Sequence, residues 1–293
     1  KASALNRADM IQRQGNYPAP AGSPSDIPGL EFAGVVLEAG ERVAGMAKGD
    51  RVFGLLGGGG YASRTITHHR MAVRIPDAWD FVQAAATPEV FFTAYDALFN
   101  RGNLQMGERV LVHAAGSGVG TAAVQLAHHA GAFVFGTAGS AEKLAGAATL
   151  GMDVGINYHD QDFAEIIKEH TSGVGVDVLI DFIGAPYWNK NIASMAVLGR
   201  LVEVGLMGGG KVEVELGQLM GKRLQVTGTG LRGRSLEEKL AVTAQFKRHV
   251  LPHLASGSMK PVVDRSFPLE EVADAHRYME TNANFGKIIL TID

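Results

Sequence analysis

A glycine-rich segment offers the clearest chemistry in this chain, the binding of a phosphate group. Residues 114–120 read Ala-Ala-Gly-Ser-Gly-Val-Gly; they follow the strand-like residues 110–113 and run into the helix-like residues 119–130. A tight turn between a strand and a helix presents unpaired backbone N–H groups and the positive helix end, which suit a pyrophosphate. The literal pattern G-x-G-x-x-G is not present, and a turn without a ligand is the alternative interpretation.

The second strand of this pattern indicates which dinucleotide would bind. A fold that prefers NAD carries Asp or Glu near the end of that strand, about 20 residues past the loop, to bind the ribose 2′-hydroxyl. Here the strand ends without a carboxylate, in Ser140, and Lys143 follows one turn later. A hydroxyl and a cation suit a 2′-phosphate, so Ser140 and Lys143 favour NADPH. The alternative is that Ser140 caps a helix with Glu142 in its first turn, while Lys143 lies in solvent.

The elements that would position these residues alternate along the chain. Strand-like and helix-like segments alternate after residue 88, and the six predicted strands are 109–113, 133–137, 154–157, 176–181, 200–204 and 224–229. Such alternation indicates βαβ units and an α/β fold with a doubly wound, six-stranded parallel sheet, the Rossmann fold.

The rest of the chain has a different character. The predicted strands here are short and separated by glycines, which favours a barrel-like or sandwich-like unit; they are 31–38, 50–56 and 61–67. Helices are predicted at 235–256 and 267–279. The closing strand, 287–292, has no helix after it and is assigned to the first unit. The predicted domains are a β-rich catalytic domain, 1–88 plus 235–293, and an inserted dinucleotide-binding domain, 89–234.

The composition excludes several classes of protein. The chain has 293 residues, 46% of them hydrophobic, and a formal net charge of −3, which argues against a protein that coats nucleic acid or anionic membranes. It has no cysteine, so disulfides, thiolate nucleophiles and cysteine-ligated metals are excluded. Its ten histidines are scattered or paired as His68-His69 and His128-His129. Adjacent helical residues point about 100° apart, so no metal site is predicted.

Four motifs in a fixed order resemble a known family. They are Ala2-x-x-Leu5-Asn6-x-x-Asp9, Gly29-x-Glu31-x-x-Gly34, the 116–120 loop and Asn284-x-Gly286-Lys287. Together they resemble the medium-chain dehydrogenase/reductase superfamily, in its zinc-free, ζ-crystallin-like quinone oxidoreductases, and most closely the tumour-suppressor-induced branch. The resemblance covers essentially the whole chain. It implies a GroES-like catalytic domain, NADPH, a homodimer, and a few tens of residues before Lys1 that form the first strands.

The resemblance also bears on zinc. The zinc-dependent alcohol dehydrogenases of this superfamily use a Gly-His-Glu segment and cysteine ligands. The matching segment here is Gly29-Leu30-Glu31, with leucine in place of the histidine ligand. No zinc is therefore expected, and without a metal to polarise a carbonyl, alcohol oxidation is disfavoured.

Asn6 and Tyr17 are the candidate catalytic residues. By resemblance, both line the cleft near the nicotinamide and the substrate. Asn6 offers a directional amide, and Tyr17 offers a ring face and a hydroxyl for a quinone oxygen. The alternatives are a turn-forming side chain for Asn6 and a half-buried packing residue for Tyr17. Asp9 is expected to cap or pair structurally. Arg232 and Arg234 could meet an anionic group, but they are expected to face solvent.

The remaining candidates would bind the cofactor. By resemblance, the pyrophosphate contacts are Ser117, Gly118, Val119 and Gly120, while Tyr158 contacts the adenosine phosphate and Asn284 closes on the cofactor. Ligands bind outside the carboxyl ends of parallel strands, so the residues predicted to border the nicotinamide ribose are Gly184, Leu206 and Met207. The alternatives are a strand-end aromatic for Tyr158 and a turn before Gly286 for Asn284.

The predicted function is an NADPH-dependent, zinc-free quinone reductase that passes hydride directly to a bound quinone. The nearest rival is reduction of an activated C=C bond, in an enal, enone or enoyl thioester, with Tyr17 as proton donor. A rival of another class is a cofactor-binding protein without activity, crystallin-like or RNA-binding, although the net charge disfavours RNA. The expected partner is a small-molecule quinone, with no nucleic acid and no membrane, and the expected location is the cytoplasm.

Overall fold

Twelve β-strands form two separate sheets. The computed structural model describes residues 1–293. In chain order the strands are β1 (Ala2–Ala4), β2 (Glu31–Val35), β3 (Arg51–Leu55), β4 (Val73–Arg74), β5 (Arg109–Val112), β6 (Phe133–Ala138), β7 (Val154–Asn157), β8 (Val176–Asp181), β9 (Met195–Glu203), β10 (Gln225–Gly228), β11 (Val263–Pro268) and β12 (Lys287–Thr291).

Eleven α-helices accompany these strands. They are α1 (Arg7–Arg13), α2 (Phe81–Ala85), α3 (Pro88–Tyr95), α4 (Gly118–His129), α5 (Ala141–Ala148), α6 (Phe163–His170), α7 (Trp188–Ser194), α8 (Leu216–Lys222), α9 (Leu236–His249), α10 (Leu251–Ala255) and α11 (Val272–Glu280). A π-helical turn, Asp96–Arg101, directly continues α3. None of the helices combines the length and the apolar character that crossing a bilayer requires.

The chain divides into two compact units. Unit 1 consists of Lys1–Phe92 and Leu231–Asp293, and unit 2 consists of Thr93–Gly230. Each unit has its own six-stranded sheet. Unit 2 is continuous in sequence, and it separates the two segments from which unit 1 is built.

The last strand of the chain lies inside the sheet of unit 1, whose order is β11-β12-β1-β2-β3-β4. β12 pairs antiparallel with β1 and parallel with β11. The assignment of the closing strand to the first unit is therefore confirmed. Apolar side chains from β12, α1 and α11, among them Ile288, Met10 and Met279, pack into one buried cluster.

The sheet of unit 2 is parallel throughout, with the order β10-β9-β8-β5-β6-β7. The strand order reverses between β5 and β8, which is the point where such folds bind ligands. Parallel sheets are covered on both faces, and accordingly Val110, Leu111 and Leu179 are fully buried. The α/β fold with a doubly wound, six-stranded parallel sheet is thus confirmed.

Two predicted elements are wrong. Residues 61–67 form no strand, because the side chains of 63–66 are exposed and no neighbouring strand pairs with this segment. The predicted helix at 267 begins later, since Phe267 and Pro268 complete β11 opposite Leu290 and Thr291. β11 is an edge strand, where a proline that lacks an N–H donor is tolerated. The α-helix itself begins at Val272.

Candidate functional site

The glycine loop of unit 2 leaves two backbone donors without a partner. β5 ends at Val112, and α4 begins at Gly118 with Ser117 as its N-cap. The Ser117 hydroxyl oxygen accepts the N–H of Gly120 at 3.0 Å, whereas the N–H groups of Gly118 and Val119 make no hydrogen bond within the protein. Free N–H groups at a helix N-terminus suit an anionic group.

Gly120 allows the loop and the helix to approach each other closely. A Cβ atom at this position would lie 2.1 Å from the carbonyl oxygen of Ala114 and 2.8 Å from the Cα of Ala115. Both are backbone atoms of the loop, so they have no flexible side chain that could move aside. The third glycine position of a dinucleotide loop serves such close packing, and only glycine fits here.

Three predicted cofactor residues lie together at the carboxyl end of β6. Ser140 caps α5, and its hydroxyl oxygen accepts the N–H of Lys143 at 3.3 Å. The aliphatic part of Lys143 lies against Gly116, where an added Cβ would be 3.0 Å from Lys143 Cδ. The Tyr158 hydroxyl lies against Gly139, and 44% of the Tyr158 residue is exposed. The capping interpretation of Ser140 is thus confirmed, and Lys143 lies beside the glycine loop.

The loops after β8 and β9 contact each other. Gly184 has a φ of +82°, and a Cβ there would lie 2.6 Å from the Gly209 carbonyl oxygen and 2.9 Å from Leu206 Cδ2. Met207 donates its backbone N–H to the Phe182 carbonyl at 3.0 Å. Leu206 and Met207 are 57% and 53% exposed. The structure therefore brings Gly184 and Leu206 together and leaves two apolar side chains open to solvent at this end of the sheet.

A buried row of polar side chains, which the sequence analysis missed, supports the Gly184 loop. Asp181 accepts the N–H of Ile183 at 2.7 Å, the N–H of Gly184 at 3.2 Å and the Asn191 amide at 2.8 Å. The Asn191 oxygen lies 2.8 Å from Nε2 of His113. The available signal in the sequence was a polar residue at the end of an otherwise apolar strand: Asp181 ends β8, and His113 directly follows β5.

The row fixes the protonation state of His113. Because the Asn191 amide nitrogen donates to Asp181, its oxygen must accept from His113, which places the imidazole proton on Nε2. The other ring nitrogen, Nδ1, then accepts from the Thr137 hydroxyl at 3.0 Å. Burial lowers the pKa of His113 from its ordinary value, so the ring is neutral and serves as a structural link.

Glu203 ends β9 directly beside Asp181 of β8. Its Oε2 atom is buried without a hydrogen-bond partner. Burial, followed by the charge of Asp181, raises the pKa of Glu203 from 4.5 to about 7. The carboxyl group is therefore protonated in mildly acidic solution, although no residue near Glu203 in the sequence indicates an unusual acid at this position.

We expect Glu203→Gln to stabilise unit 2 in alkaline solution. The folded protein holds this proton more tightly than the unfolded chain does. The contribution of the protonated carboxyl to the free energy of unfolding is therefore complete below pH 4.5 and is lost as the pH rises to about 7. Because the side chain is half-exposed, solvent screening limits the gain at pH 8 to about 1 kcal/mol, and at about pH 4, below both pKa values, the gain is close to zero. Urea unfolding at both pH values measures it, with the exposed Glu165→Gln as control. Parallel pH profiles of wild type and Glu203→Gln would contradict the expectation.

In unit 1, Asn6 is held by a buried ion pair. Lys287 Nζ donates to Glu31 Oε1 at 2.8 Å, to Asn6 Oδ1 at 2.7 Å and to the Leu5 carbonyl at 2.7 Å. Asn6 Nδ2 donates to the same Glu31 oxygen at 2.9 Å. The Lys287 and Glu31 side chains are only 3% and 0% exposed. The Asn6 amide is therefore oriented by charge, which a turn-forming role alone does not require.

Asp9 is a buried acid that fixes the start of α1. Its carboxylate accepts the N–H of Asn6 at 2.8 Å, the N–H of Gly29 at 3.1 Å and the hydroxyl of Tyr61 at 2.9 Å. Burial is the largest influence and raises the pKa of Asp9 to about 6, although these hydrogen bonds act in the opposite direction. Its expected structural role is confirmed by these contacts.

Tyr17 lies under Arg232, and the expectation that Arg232 faces solvent is wrong. Arg232 is only 6% exposed. Its guanidinium lies 4.7 Å from the centre of the Tyr17 ring and donates to the Tyr17 carbonyl at 3.0 Å. It also bonds to the Gly57 carbonyl and to Gln12 Oε1. These acceptors lie more than 170 positions earlier in the chain, so no local pattern could predict the burial.

The hydroxyl of Tyr17 makes no hydrogen bond within the protein. Burial raises the pKa of Tyr17, with a further increase from Glu89, whereas Arg232 acts to lower it. The hydroxyl therefore stays protonated near neutral pH and is available as a donor. Along the chain, Asn6 precedes α1 and Tyr17 follows it, and no hydrogen bond joins the two side chains.

Asn284 is used in a turn. Its amide donates to the Gly286 carbonyl at 2.8 Å, and Gly286 has a φ of +88°. This is the alternative that the sequence left open, and a contact of Asn284 with a cofactor stays a prediction. Outside these sites, no group of three or more histidine, aspartate or glutamate side chains is arranged to hold a metal ion.

Two family models match: the alcohol dehydrogenase GroES-like domain, at residues 1–77, and the zinc-binding dehydrogenase, at residues 118–245. Quinone oxidoreductase-like protein 2 of Bos taurus is 34% identical over 289 residues, which cover 98% of this chain and 82% of the bovine protein.

Two solved structures are similar over the whole chain. Escherichia coli quinone oxidoreductase in complex with NADPH has a TM-score of 0.88 and 33% identity, covering 100% of this chain and 90% of that one. The CurK enoyl reductase has a TM-score of 0.87 and 32% identity, covering 100% and 89%. The relatives thus include reductases of two substrate classes.

Proposed function

Since this chain belongs to the zinc-free quinone oxidoreductases of the medium-chain dehydrogenase/reductase family, we propose that it reduces a quinone with NADPH. The single observation that carries the cofactor part is the pair of unpartnered N–H groups at Gly118 and Val119, in the loop whose Gly116 lies against Lys143. NADPH supplies a hydride when it is bound. Everything else that the reaction needs must come from the side chains of this chain and from solvent.

The residues of unit 2 fit such a cofactor. Gly118 and Val119 would receive the pyrophosphate at the start of α4, and Ser140 and Lys143 would meet a 2′-phosphate, with Tyr158 beside them. The Gly184 loop and the exposed side chains of Leu206 and Met207 would border the nicotinamide ribose. This assignment is supported by the clustering of Ser140, Lys143 and Tyr158 at the end of β6.

The residues of unit 1 would orient the acceptor. Asn6 offers an amide that the Glu31–Lys287 pair holds in one orientation, and Tyr17 offers an unpaired hydroxyl. A quinone accepts hydride readily, so proximity and orientation supply most of the rate. Solvent can provide the protons of the hydroquinone.

Reduction of an activated C=C bond is the second candidate. It requires a proton donor beside the product enolate, and the protonated, unpaired hydroxyl of Tyr17 is such a donor. The similarity to the CurK enoyl reductase favours the same possibility.

Tyr17→Phe would separate these two reactions. If Tyr17 donates a proton, turnover of an enone should fall about 100-fold, in the range of general acid catalysis. Quinone turnover should change far less, because solvent protonates the hydroquinone. Steady-state kinetics with one enone and one quinone measures both. Tyr278→Phe serves as a control, since its hydroxyl bonds to Asp264 on the surface of the same unit. An equal loss with both acceptors would contradict the donor role.

Lys143→Met should reduce the preference for NADPH over NADH. Removing one charged donor from a phosphate costs about 1.5–3 kcal/mol, or about tenfold or more in affinity. The dissociation constants of both cofactors, measured by fluorescence titration, give the ratio. Lys168→Met, an exposed lysine of α6, is the matched control. If the ratio stayed constant in Lys143→Met, another group would have to bind the 2′-phosphate.

The direct test is oxidation of NADPH and NADH, side by side, with 1,2- and 1,4-quinones and an enone as acceptors. Quinone turnover with NADPH preferred is the expected result. Turnover with the enone alone would transfer the function to C=C reduction. Tight NADPH binding without turnover, or a salt-dependent complex with RNA, would favour a crystallin-like or RNA-binding role.

We also propose a homodimer in the cytoplasm. β10 is an edge strand of the unit 2 sheet, and Val226 in it is 41% exposed. An open edge of this kind can pair with the same strand of a second copy. Size-exclusion chromatography with light scattering tests the dimer.

A further inference from the structure

A cavity within unit 1 combines apolar walls with positive charge. Its volume is about 250 Å³, and its apolar lining includes Leu55, Leu56, Met71 and Leu231. Two basic side chains, Arg232 and Lys239, also line it. Small-molecule sites have this character, with mostly apolar walls and a few polar groups that fix the orientation of the ligand.

Arg232 carries a buried charge that has no counter-ion. Its donors go to the carbonyl oxygens of Gly57 and Tyr17 and to the amide oxygen of Gln12, all of which are neutral. No carboxylate lies within ion-pair distance of its guanidinium. Hydrogen bonds compensate the lost hydration only in part, because a buried charge is normally also paired.

Lys239 adds a second unpaired charge on the same cavity. It lies on α9 and is half-buried, and its ammonium group makes neither a hydrogen bond nor an ion pair. Burial and the charge of Arg232 both lower the pKa of Lys239, which indicates that the two cations act on each other. Glu89 is the only carboxylate on the lining, where His68 also lies, so the two cations outnumber the single anion and the cavity has excess positive charge.

We infer that this cavity binds the anionic end of the acceptor, and that the preferred substrates are acceptors with a carboxylate, sulfonate or phosphate on an apolar ring or chain. Lys239 contacts the anion, and Arg232 contributes its charge while its donors hold the surrounding loops. The apolar wall takes the ring. The inference rests on the proposed function, since it names the class of acceptor that unit 1 would hold.

Binding of a redox-inert probe tests the site without any turnover. Isothermal titration with naphthalene-2-sulfonate, compared with the neutral naphthalen-2-ol, measures the preference for the anion. The sulfonate should bind about tenfold more tightly, and Lys239→Met should remove that advantage. Lys247→Met is the matched control, since Lys247 is another half-buried lysine of α9 with a lowered pKa but does not line the cavity. Equal affinities of both probes for the wild-type protein would overturn the inference.

Kinetics separates this inference from the proposed function. The measured quantity is the ratio of kcat/KM for 1,4-naphthoquinone-2-sulfonate to that for 1,4-naphthoquinone, with NADPH. The ratio should fall about tenfold in Lys239→Met and stay constant in Lys247→Met. Sulfonate binding that depends on Lys239, without turnover of any quinone, would support the anion site and reject the quinone function. If quinones were turned over and the ratio of kcat/KM in Lys239→Met equalled that of the wild type, the anion site would be rejected and the quinone reductase function retained.

Discussion

Replacing Lys287 by methionine should cost unit 1 about 3–5 kcal/mol of folding free energy, the range measured when one partner of a buried ion pair is removed. All three Lys287 donors are used, on Glu31, Asn6 and the Leu5 carbonyl. Without the cation, the Glu31 carboxylate stays buried among neutral donors, the Asn6 amide and the N–H of Glu89. The Asn6 amide also loses the contact that fixes its oxygen.

Tryptophan fluorescence can isolate this effect, because the chain has two tryptophans, Trp79 in unit 1 and Trp188 in unit 2. In a Trp188→Phe background, urea unfolding followed at Trp79 reports on unit 1. Arg277→Met removes an exposed ion pair on α11 and should change stability by less than about 1 kcal/mol. Adding Glu31→Gln to Lys287→Met should recover part of the loss. A loss below 1 kcal/mol in Lys287→Met would show that the burial of Glu31 needs no counter-ion.

Gly120→Ala should both destabilise unit 2 and weaken cofactor binding. The new methyl group would meet the Ala114 carbonyl oxygen at 2.1 Å, so the glycine loop or α4 must move. Forcing a methyl group into a packed site costs about 1–3 kcal/mol and sometimes more, and here the obstacle is backbone. The same movement displaces the N–H groups of Gly118 and Val119, so NADPH affinity should fall at least about tenfold.

Gly217→Ala is the matched control for this change. Gly217 lies in α8, and an added Cβ would meet no atom within 4 Å. Because alanine favours a helix over glycine by about 1 kcal/mol, this variant should be equal to the wild type or slightly more stable. Unfolding is followed at Trp188 in a Trp79→Phe background, together with a titration of NADPH. Normal stability and normal NADPH affinity in Gly120→Ala would contradict the close approach of loop and helix.

The sequence was informative where the signals were local. The loop at 114–120 is predictable because a buried strand, a glycine turn and a helix follow each other within about 20 residues. The six parallel strands are predictable for the same reason, since each is a short apolar run with a helix between it and the next. The cap at Ser140 also depends on residues within one turn.

The missed features all depend on contacts between distant parts of the chain. Arg232 looks like a surface arginine until residues 12, 17 and 57 surround it. Pairing with β12 made 263–268 a strand, although Phe267 and Pro268 resemble the start of a helix. Glu203 acquires its raised pKa from Asp181 and from burial, and neither is visible in the residues next to it.

The position of β12 also has a consequence for how the protein is made. Domains generally fold as units while the ribosome is still adding residues. Unit 2 is continuous and can close its sheet as soon as residue 230 has emerged, whereas unit 1 must wait for β12, an interior strand of its sheet, which follows all of unit 2 along the chain. Until then β1 lacks one of its two neighbouring strands, and Glu31 lacks the cation to which it is later paired. A nascent chain halted before Lys287 would carry a finished dinucleotide fold beside an unfinished sheet, with its exposed strands open to chaperones or to aggregation.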